Sequence, residues 1–467
     1  MMAVRGYGPS HGRSFRMAGF VIVGNGVTGI RAAEVLRRSM RDADITIVAE
    51  EPYPFYRRPQ LADFASGVVG EARLWAKKPA FYEENRLDVR LGARVLSVDP
   101  GSRSARLADG TALVYDKLLV ASGRRVGVGA FAGSDLPSVN HFKTLDDARA
   151  IRDLDGAGKA GLVYGDGLVA LELVRALTAA GFATTYVVPG ERLWPEVLDE
   201  DAAAIIAGRI KASGAELVTG THVQAVESRD GRAAGLILAG GETRLADVVG
   251  VCSGYQPAVE YLPDGGRGFK VDAAFATPWE GIYAAGDVTV DPARSHFNWL
   301  RSWRHGASAG AVLAGQPADV PADVDLLNMA ALGLSLVAMG RTVVPYRSTD
   351  REMVGDYPVG EFYKKLVFDS DDVLVGALLV GSIAEAGALE EALRARTRKA
   401  DLDPALLRQM FEVTYRTEYQ GVQCPVCRHE IQLGAGSRAG DAVACPICGT
   451  DFVLAQGEVG LVARGVR

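Results

Sequence analysis

The stretch FVIVGNGVTGIRAAEVLRRS, Phe20 to Ser39, decides the fold. Four apolar residues run into three glycines, and the glycines run into a segment whose apolar positions recur at helical spacing. This reads as strand, tight turn and helix. DITIVAEE, from Asp44, follows as a second strand, so the chain opens on a βαβ unit. Gly24, Gly26 and Gly29 form G-x-G-x-x-G at the strand–helix junction. The first glycine allows the tight turn, the second lets backbone approach a pyrophosphate, and the third lets the helix pack close to the strand. A diphosphate would sit at the positive end of that helix. Glu50 lies about twenty residues past Gly29, at the end of the second strand, where a carboxylate binds ribose hydroxyls of an adenosine.

The pattern returns at AGLVYGDGLVALELVRALTAAGFATTYVVPG, Ala160 to Gly190. Gly165, Gly167 and Ala170 form G-x-G-x-x-A, and Glu172 follows in the helix. This is a second candidate dinucleotide site. Its ribose-reading position falls at Val188 or Pro189, with Arg192 near, so neither an acid for a 2′-hydroxyl nor a clear arginine for a 2′-phosphate is in place. NADH and NADPH both stay open. A second unit that has lost its nucleotide is the competing reading. The fold class expected is α/β with two Rossmann-like domains, followed by a small α+β domain and a cysteine module.

Composition narrows the function classes. The chain has 467 residues, 48% hydrophobic and 23% charged, as in ordinary globular proteins. A net charge of −6 gives no reason to expect nucleic acid or an anionic membrane as partner. No run of 18 apolar residues occurs, so no transmembrane helix is expected. Residues 1–17 carry basic residues, but the apolar run behind them is too short for a signal h-region, so they read as a disordered tail, with Met17 an alternative start. A cytoplasmic protein is the default expectation.

Further motifs carry a family resemblance. YDKLLVASG, Tyr115 to Gly123, resembles a D-x-L-x-x-A-T-G signature with Ser122 in place of threonine, and GIYAAGDV, Gly281 to Val288, is similar to a second FAD signature. With the two glycine motifs, these residues resemble the two-dinucleotide-binding-domain flavoproteins, or pyridine nucleotide-disulfide oxidoreductases, from about Phe20 to Lys399. EEPYPFYRRPQL, Glu50 to Leu61, resembles the branch of NADH:rubredoxin reductases and nitrite-reductase-like flavoproteins. So do NMAALGLSLVAMG, Asn328 to Gly340, and the pair YKKLVF and LVGALLVG between Tyr363 and Gly381.

The resemblance implies FAD at the first site, NADH or NADPH at the second, and hydride transfer between them. It implies that Asp287 binds a ribityl hydroxyl, that Gly286 and Gly123 pass close to the cofactor, and that Arg58 lies near the flavin or its diphosphate. It also divides the chain into FAD-binding parts at 18–126 and 257–318, an NAD(P)-binding domain at 140–256, and a reductase C-terminal domain at 325–398 that contributes to homodimer formation. A helical linker, 399–421, and a metal-binding module, 422–456, complete the expected organisation.

One absence shapes the chemistry. The chain has five cysteines, at 252, 424, 427, 445 and 448, and none lies between Glu50 and Gly92, where disulfide-reducing members of the family carry theirs. A dithiol relay and a cysteine-sulfenate peroxidase are therefore excluded. Cys252, inside the apolar run VVGVCSG, reads as a small buried hydrophobe. Electrons must leave for a bound acceptor, expected to be a small redox protein of rubredoxin or ferredoxin type. NAD(P)H oxidase or quinone reductase activity is one alternative, and a flavin-binding assembly or docking protein is another. Hydride transfer requires no general base, so no catalytic acid or base is assigned. Trp303 and His305, in the segment HFNWLRSWRHG that opens at His296, are candidates for the flavin border, with helix packing the competing reading.

Cys424, Cys427, Cys445 and Cys448 have the C-x2-C…C-x2-C spacing of a four-thiolate metal site. CPICG fits a rubredoxin knuckle, but CPVCRHE lacks the following glycine, and the whole phrase resembles short zinc ribbons. Zinc is the expectation and iron the alternative. Four thiolates complete the shell, which leaves His429 beside it.

Overall fold

The computed structural model describes residues 19–126, 131–252, 254–263, 268–269, 271–289, 299–318, 324–344, 348–355, 362–408, 410–412, 420–423, 430–433, 437–444, 451–457 and 460–466. The first βαβ unit forms as its pattern requires: strand Gly19–Val23, helix Val27–Ser39 and strand Asp44–Ala49. They enter a five-stranded parallel sheet ordered Ile282–Ala284, Lys117–Val120, Gly19–Val23, Asp44–Ala49, Asp88–Leu91. The strands are near-continuous apolar runs because both faces are covered; Ile22, Ile47, Leu118 and Leu119 have no exposed surface. Strand Ile282–Ala284 returns to this sheet after the second unit, so the first domain is made from two separated parts of the chain.

The second unit is a four-stranded parallel sheet ordered Glu216–Val218, Ala183–Val187, Ala160–Gly165, Val248–Cys252. Its helix, Leu168–Ala179, follows the second glycine turn. In both sheets the chain steps away on one side of the opening strand and later comes back on its other side. The point where the order reverses lies at the carboxyl end of that strand, where open α/β sheets bind their ligands.

A third unit is a six-stranded antiparallel sheet ordered Leu326–Ala331, Leu334–Gly340, Leu374–Val380, Tyr363–Phe368, Arg351–Gly355, Met410–Glu412, with helix Ala386–Arg394 on one face. The two strands expected around the acidic turn at Asp369–Asp372 pair here. The segment 399–421 was expected as a helical linker. Its described residues hold instead two 3-10 turns, Lys399–Asp401 and Pro404–Leu407, and an edge strand, Met410–Glu412. Pro404 sits at the start of its turn, where a missing N–H costs nothing, and cannot continue a helix from Lys399. The strand then gains backbone partners on Arg351–Gly355.

The C-terminal module has an antiparallel pair, Gln420–Gln423 with Glu430–Leu433, and a three-stranded sheet ordered Ala442–Ala444, Asp451–Gly457, Gly460–Val466. Val422, Ile431, Leu433, Phe452 and Leu454 form its small core. The third strand carries the ordered module past residue 456.

One contact closes the first unit and another joins the third sheet to the second unit. Helix Trp299–Leu313 lies on helix Val27–Ser39 through Gly306 and Gly310, where a Cβ would come within 2.5 Å of the Thr28 carbonyl oxygen and 2.6 Å of the Ala32 carbonyl oxygen. Buried Lys365, on the third sheet, pairs with Asp199 at 2.9 Å and with Glu352. Tyr363 donates to the same Asp199 oxygen at 2.6 Å. Asp199 also caps helix Glu200–Ala212 of the second unit by accepting from Ala202 N–H. No helix among the described residues is long and apolar enough to cross a membrane.

Removing Lys365 takes from Asp199 and Glu352 the buried cation they share. Lys365→Ala is expected to lower stability by about 3–5 kcal/mol, as for other broken buried ion pairs. Chemical unfolding followed by circular dichroism measures this, and a change under 1 kcal/mol would show that the interface does not depend on the pair.

Candidate functional site

At the first turn the three glycines are required for three different reasons. Gly24 has φ +118°, and a Cβ there would overlap the Ala121 carbonyl across the point of strand reversal. A Cβ on Gly29 would overlap the Gly24 carbonyl, so this glycine sets how closely helix and strand pack. Gly26 differs: a Cβ there would meet nothing within 4 Å. It is the N-cap of helix Val27–Ser39, with no side chain capping the helix and no acid in the first turn. Bare backbone at an uncapped helix N-terminus is a cradle for a diphosphate.

Glu50 follows strand Asp44–Ala49 directly and is exposed at the edge of this cradle. Arg94 lies 3.6 Å away and Arg125 3.7 Å. The placement of Glu50 suits ribose hydroxyls. The residues present fit an adenine dinucleotide such as FAD.

The other signatures gather nearby. Gly286, at φ +78°, lies where a Cβ would overlap the Thr28 hydroxyl. Asp287 accepts a hydrogen bond from Ser302 Oγ at 2.7 Å, and its backbone carbonyl accepts one from Arg124 Nε at 3.0 Å. Gly123, at φ +69°, borders open space, and Ser122 beside it donates to the Ala258 carbonyl at 2.6 Å. Arg58 donates to Glu51 at 2.8 Å and also to the Lys143 carbonyl.

Lys143 escaped the reading of the sequence. Burial, then the charge of Arg58, brings its ammonium down to about 8, and the charges of Asp287, Glu51 and Arg124 also reach it. The capping box of Thr144 and Asp147 anchors this position, with Lys143 N–H donating to Asp147 Oδ2 at 2.8 Å. The T-x-x-D pattern at Thr144 is the local signal that could have drawn attention to it.

Trp303 and His305 do not share a location. Trp303 is 40% exposed, with Arg31 4.1 Å above its ring. His305 is buried, its ring 5.3 Å from Phe275 within the packing of helix Trp299–Leu313. His296 lies outside the described residues.

The second turn repeats the first at Gly165. It has φ +139°, and a Cβ would overlap the Cys252 carbonyl. Ala170 is buried in the helix. Glu172 pairs with Arg175 at 2.7 Å, and Arg175 reaches Asp63 at 2.5 Å, which joins this helix to the segment that follows Arg58. Burial pushes the Glu172 carboxyl up, and Arg175 opposes the shift. Val188 is fully buried, with its N–H on the Val218 carbonyl at 2.8 Å, so it does not face a ribose. Arg192 lies 3.5 Å from the Pro195 carbonyl. Asp166, between the two glycines, accepts from Gly167 N–H and Trp194 N–H, each at 2.8 Å. Burial pushes its carboxyl up to about 6 against those two bonds.

Cys252 is 4% exposed in the strand core, and burial pushes its thiol up, so it is no thiolate nucleophile. Cys424, Cys427, Cys445 and Cys448 lie outside the described residues, as does His429. Among the described residues no cluster of three or more metal-ligating side chains occurs.

Residues 19–310 match the pyridine nucleotide-disulphide oxidoreductase family. The chain belongs to this family and is an FAD-dependent NAD(P)H oxidoreductase. It is 28% identical over 408 residues to the NADH-dependent phenylglyoxylate dehydrogenase subunit epsilon of Aromatoleum evansii, covering 84% of this chain and 94% of that protein. It is 34% identical over 312 residues to the ferredoxin–NAD(+) reductase component of the anthranilate 1,2-dioxygenase system of Burkholderia cepacia, covering 65% of this chain and 75% of that protein. Its fold matches the covalent putidaredoxin reductase–putidaredoxin complex with a TM-score of 0.74 at 21% identity, over 84% of this chain and 95% of that one.

Two outcomes follow from the turns. Gly26→Val adds bulk only where the cofactor backbone must approach. It is expected to cut co-purified FAD at least about tenfold, by the visible-to-ultraviolet absorbance ratio, with stability changed by less than about 1 kcal/mol. Retained FAD would show that the diphosphate does not sit there.

The second concerns pH. The Asp166 carboxyl titrates near 6 in the fold against an ordinary value of 3.8, so the unfolded chain gives up this proton first. The folded state therefore loses stability as pH rises from about 4 to 6 and levels off above. Asp166→Asn keeps an acceptor but carries no such penalty. Its stability relative to wild type is expected to rise across that window and stay flat above it. Urea midpoints at several pH values measure this, and an advantage that grows toward acid would contradict it.

Proposed function

We propose that this chain draws electrons from NADH or NADPH bound at the second glycine turn and delivers them to a small redox protein of ferredoxin or rubredoxin type. One observation carries the reading: two glycine turns stand on two separate parallel sheets, in a chain with no cysteine between Glu50 and Gly92 to hold electrons in between. FAD, bound at the first turn, supplies acceptance of a hydride and release of electrons singly. The helix end at Gly26 neutralises the diphosphate, Glu50 binds the adenosine ribose, and Asp287, held by Ser302, accepts from the ribityl chain. Arg58, Arg124 and Lys143 keep the surroundings of Asp287 positive, which favours a cofactor that gains negative charge on reduction.

The C-terminal module is read as a zinc ribbon. Cys424 and Cys427 stand in sequence between two strands that pair through Gln423 and Glu430. Cys445 and Cys448 stand between two that pair through Ala444 and Asp451. Each C-x-x-C pair thus interrupts an antiparallel hairpin, the usual setting of a zinc knuckle. A module with so small a core depends on a metal to fold. The ribbon then serves as a docking surface, with zinc outside the electron path.

A second reading is that the chain works as the nicotinamide-facing subunit of a larger oxidoreductase. It is favoured by one fact: the similarity to the epsilon subunit spans more of this chain than the family match at residues 19–310.

Rapid mixing with NADH and with NADPH should bleach the flavin with at least one of them, and turnover with a ferredoxin or rubredoxin should exceed that with dioxygen or a quinone at least about tenfold. Faster turnover with dioxygen or a quinone would favour an oxidase or quinone reductase. Metal analysis is expected to find about one zinc per chain and none in Cys445→Ser, with the flavin still reducible. Iron with a red colour would place the module in the electron path.

A further inference from the structure

We propose that Trp194 is a cover over the second glycine turn, and that a nicotinamide dinucleotide reaches the turn only once this indole has moved aside. The inference rests on the reading of that turn as the NAD(P)H site.

The two turns differ at their second glycine. A Cβ on Gly26 would meet nothing within 4 Å, whereas one on Gly167 would meet the Trp194 ring, 3.5 Å from Cε2 and 3.6 Å from Nε1. The second glycine of such a turn exists so that a pyrophosphate can come close to backbone. At Gly167 an indole of this chain already occupies the approach.

Trp194 is held there at both ends of its loop. Its N–H donates to Asp166 Oδ1 at 2.8 Å, the same oxygen that accepts from Gly167 N–H. Its carbonyl accepts from Val197 N–H at 3.0 Å and Leu198 N–H at 2.9 Å. Behind it, the Val197 carbonyl accepts from Thr342 Oγ1 at 2.8 Å, and Asp199 is gripped by Tyr363 and Lys365. The third sheet therefore anchors the loop that carries the cover. Trp194 itself has φ +45°, a left-handed backbone that large side chains rarely adopt, and only its surroundings keep it so.

The arrangement also contains its own release. Asp166 is an acid placed between the two glycines, where an incoming diphosphate would bring more negative charge. The diphosphate competes with the Asp166 carboxylate for Gly167 N–H, and loss of that bond loosens the acceptor of Trp194 N–H. Ligand arrival and opening of the cover are thus coupled through one carboxylate. A site covered most of the time binds with an affinity reduced by the fraction of time it is open.

The test uses the full FAD-loaded chain and NAD⁺, which binds without reducing the flavin. Calorimetric titration is expected to show NAD⁺ binding at least about fivefold tighter to Trp194→Ala than to wild type. NAD⁺ should also change the indole emission of wild type, and Trp194→Phe should abolish that change. Should Trp194→Ala fail to fold, Trp194→Leu carries the test, since it removes the ring that faces Gly167 and keeps an apolar side chain in the loop; it too should bind more tightly. Equal or weaker binding in a folded variant overturns the cover, because the indole is then neutral or part of the ligand's own contact surface. If neither NAD⁺, NADH nor NADPH binds wild type or any variant, the nicotinamide reading of the turn fails, and the cover fails with it.

Discussion

The near-contact of Gly24 with the carbonyl of Ala121, repeated by Gly165 with that of Cys252, is the constraint on which the rest of the structure depends. In each sheet it brings the turn after the opening strand against the strand that returns on its other side. No residue with a Cβ fits there. Because backbone meets backbone, each turn opens at the point where its sheet order reverses, and a helix N-terminus is directed into that opening. The helix of the first unit is fixed further by Gly306 and Gly310, which let helix Trp299–Leu313 lie directly on its backbone. Ser302, on that second helix, is in turn the residue that holds Asp287. The arrangement of the first turn thus follows from glycine spacing on elements far apart in sequence.

Legibility in the sequence followed the range of the interactions. Both glycine turns, Glu50 at the end of its strand and the strands around Asp369–Asp372 depend on local pattern, and each could be read from the letters. Lys143 owes its surroundings to Arg58 and Asp287, which approach it from distant parts of the chain. The cover at Gly167 depends on a bond between residues 28 apart, Asp166 and Trp194, joined by a loop without periodicity. The segment near Met410 has helix-forming residues, yet Pro404 and the open edge of strand Arg351–Gly355 decide its conformation. Of the two candidate ribose-reading positions, Val188 turns its side chain into the core with its N–H tied to Val218, which leaves Pro189.

The third sheet has a second role besides closing the fold. Its buried Lys365 and Tyr363 hold Asp199, and Thr342 holds Val197, at the end of the loop that leads back to Trp194. A buried interface therefore sits behind the loop that carries Trp194. Placing moving loops on packed supports is how folds combine affinity with access. Arg175, between Glu172 and Asp63, ties the same domain to the flavin side by a more exposed and weaker link.

The proposed electron path runs from nicotinamide through flavin to an outside acceptor, with no thiol store between. Anaerobic titration of the purified flavoprotein with NADH or NADPH tests it most directly. The account predicts complete bleaching at about one nicotinamide, two electrons, per FAD. Absence of bleaching with both nicotinamides, or an end point near two nicotinamides per FAD, would contradict it.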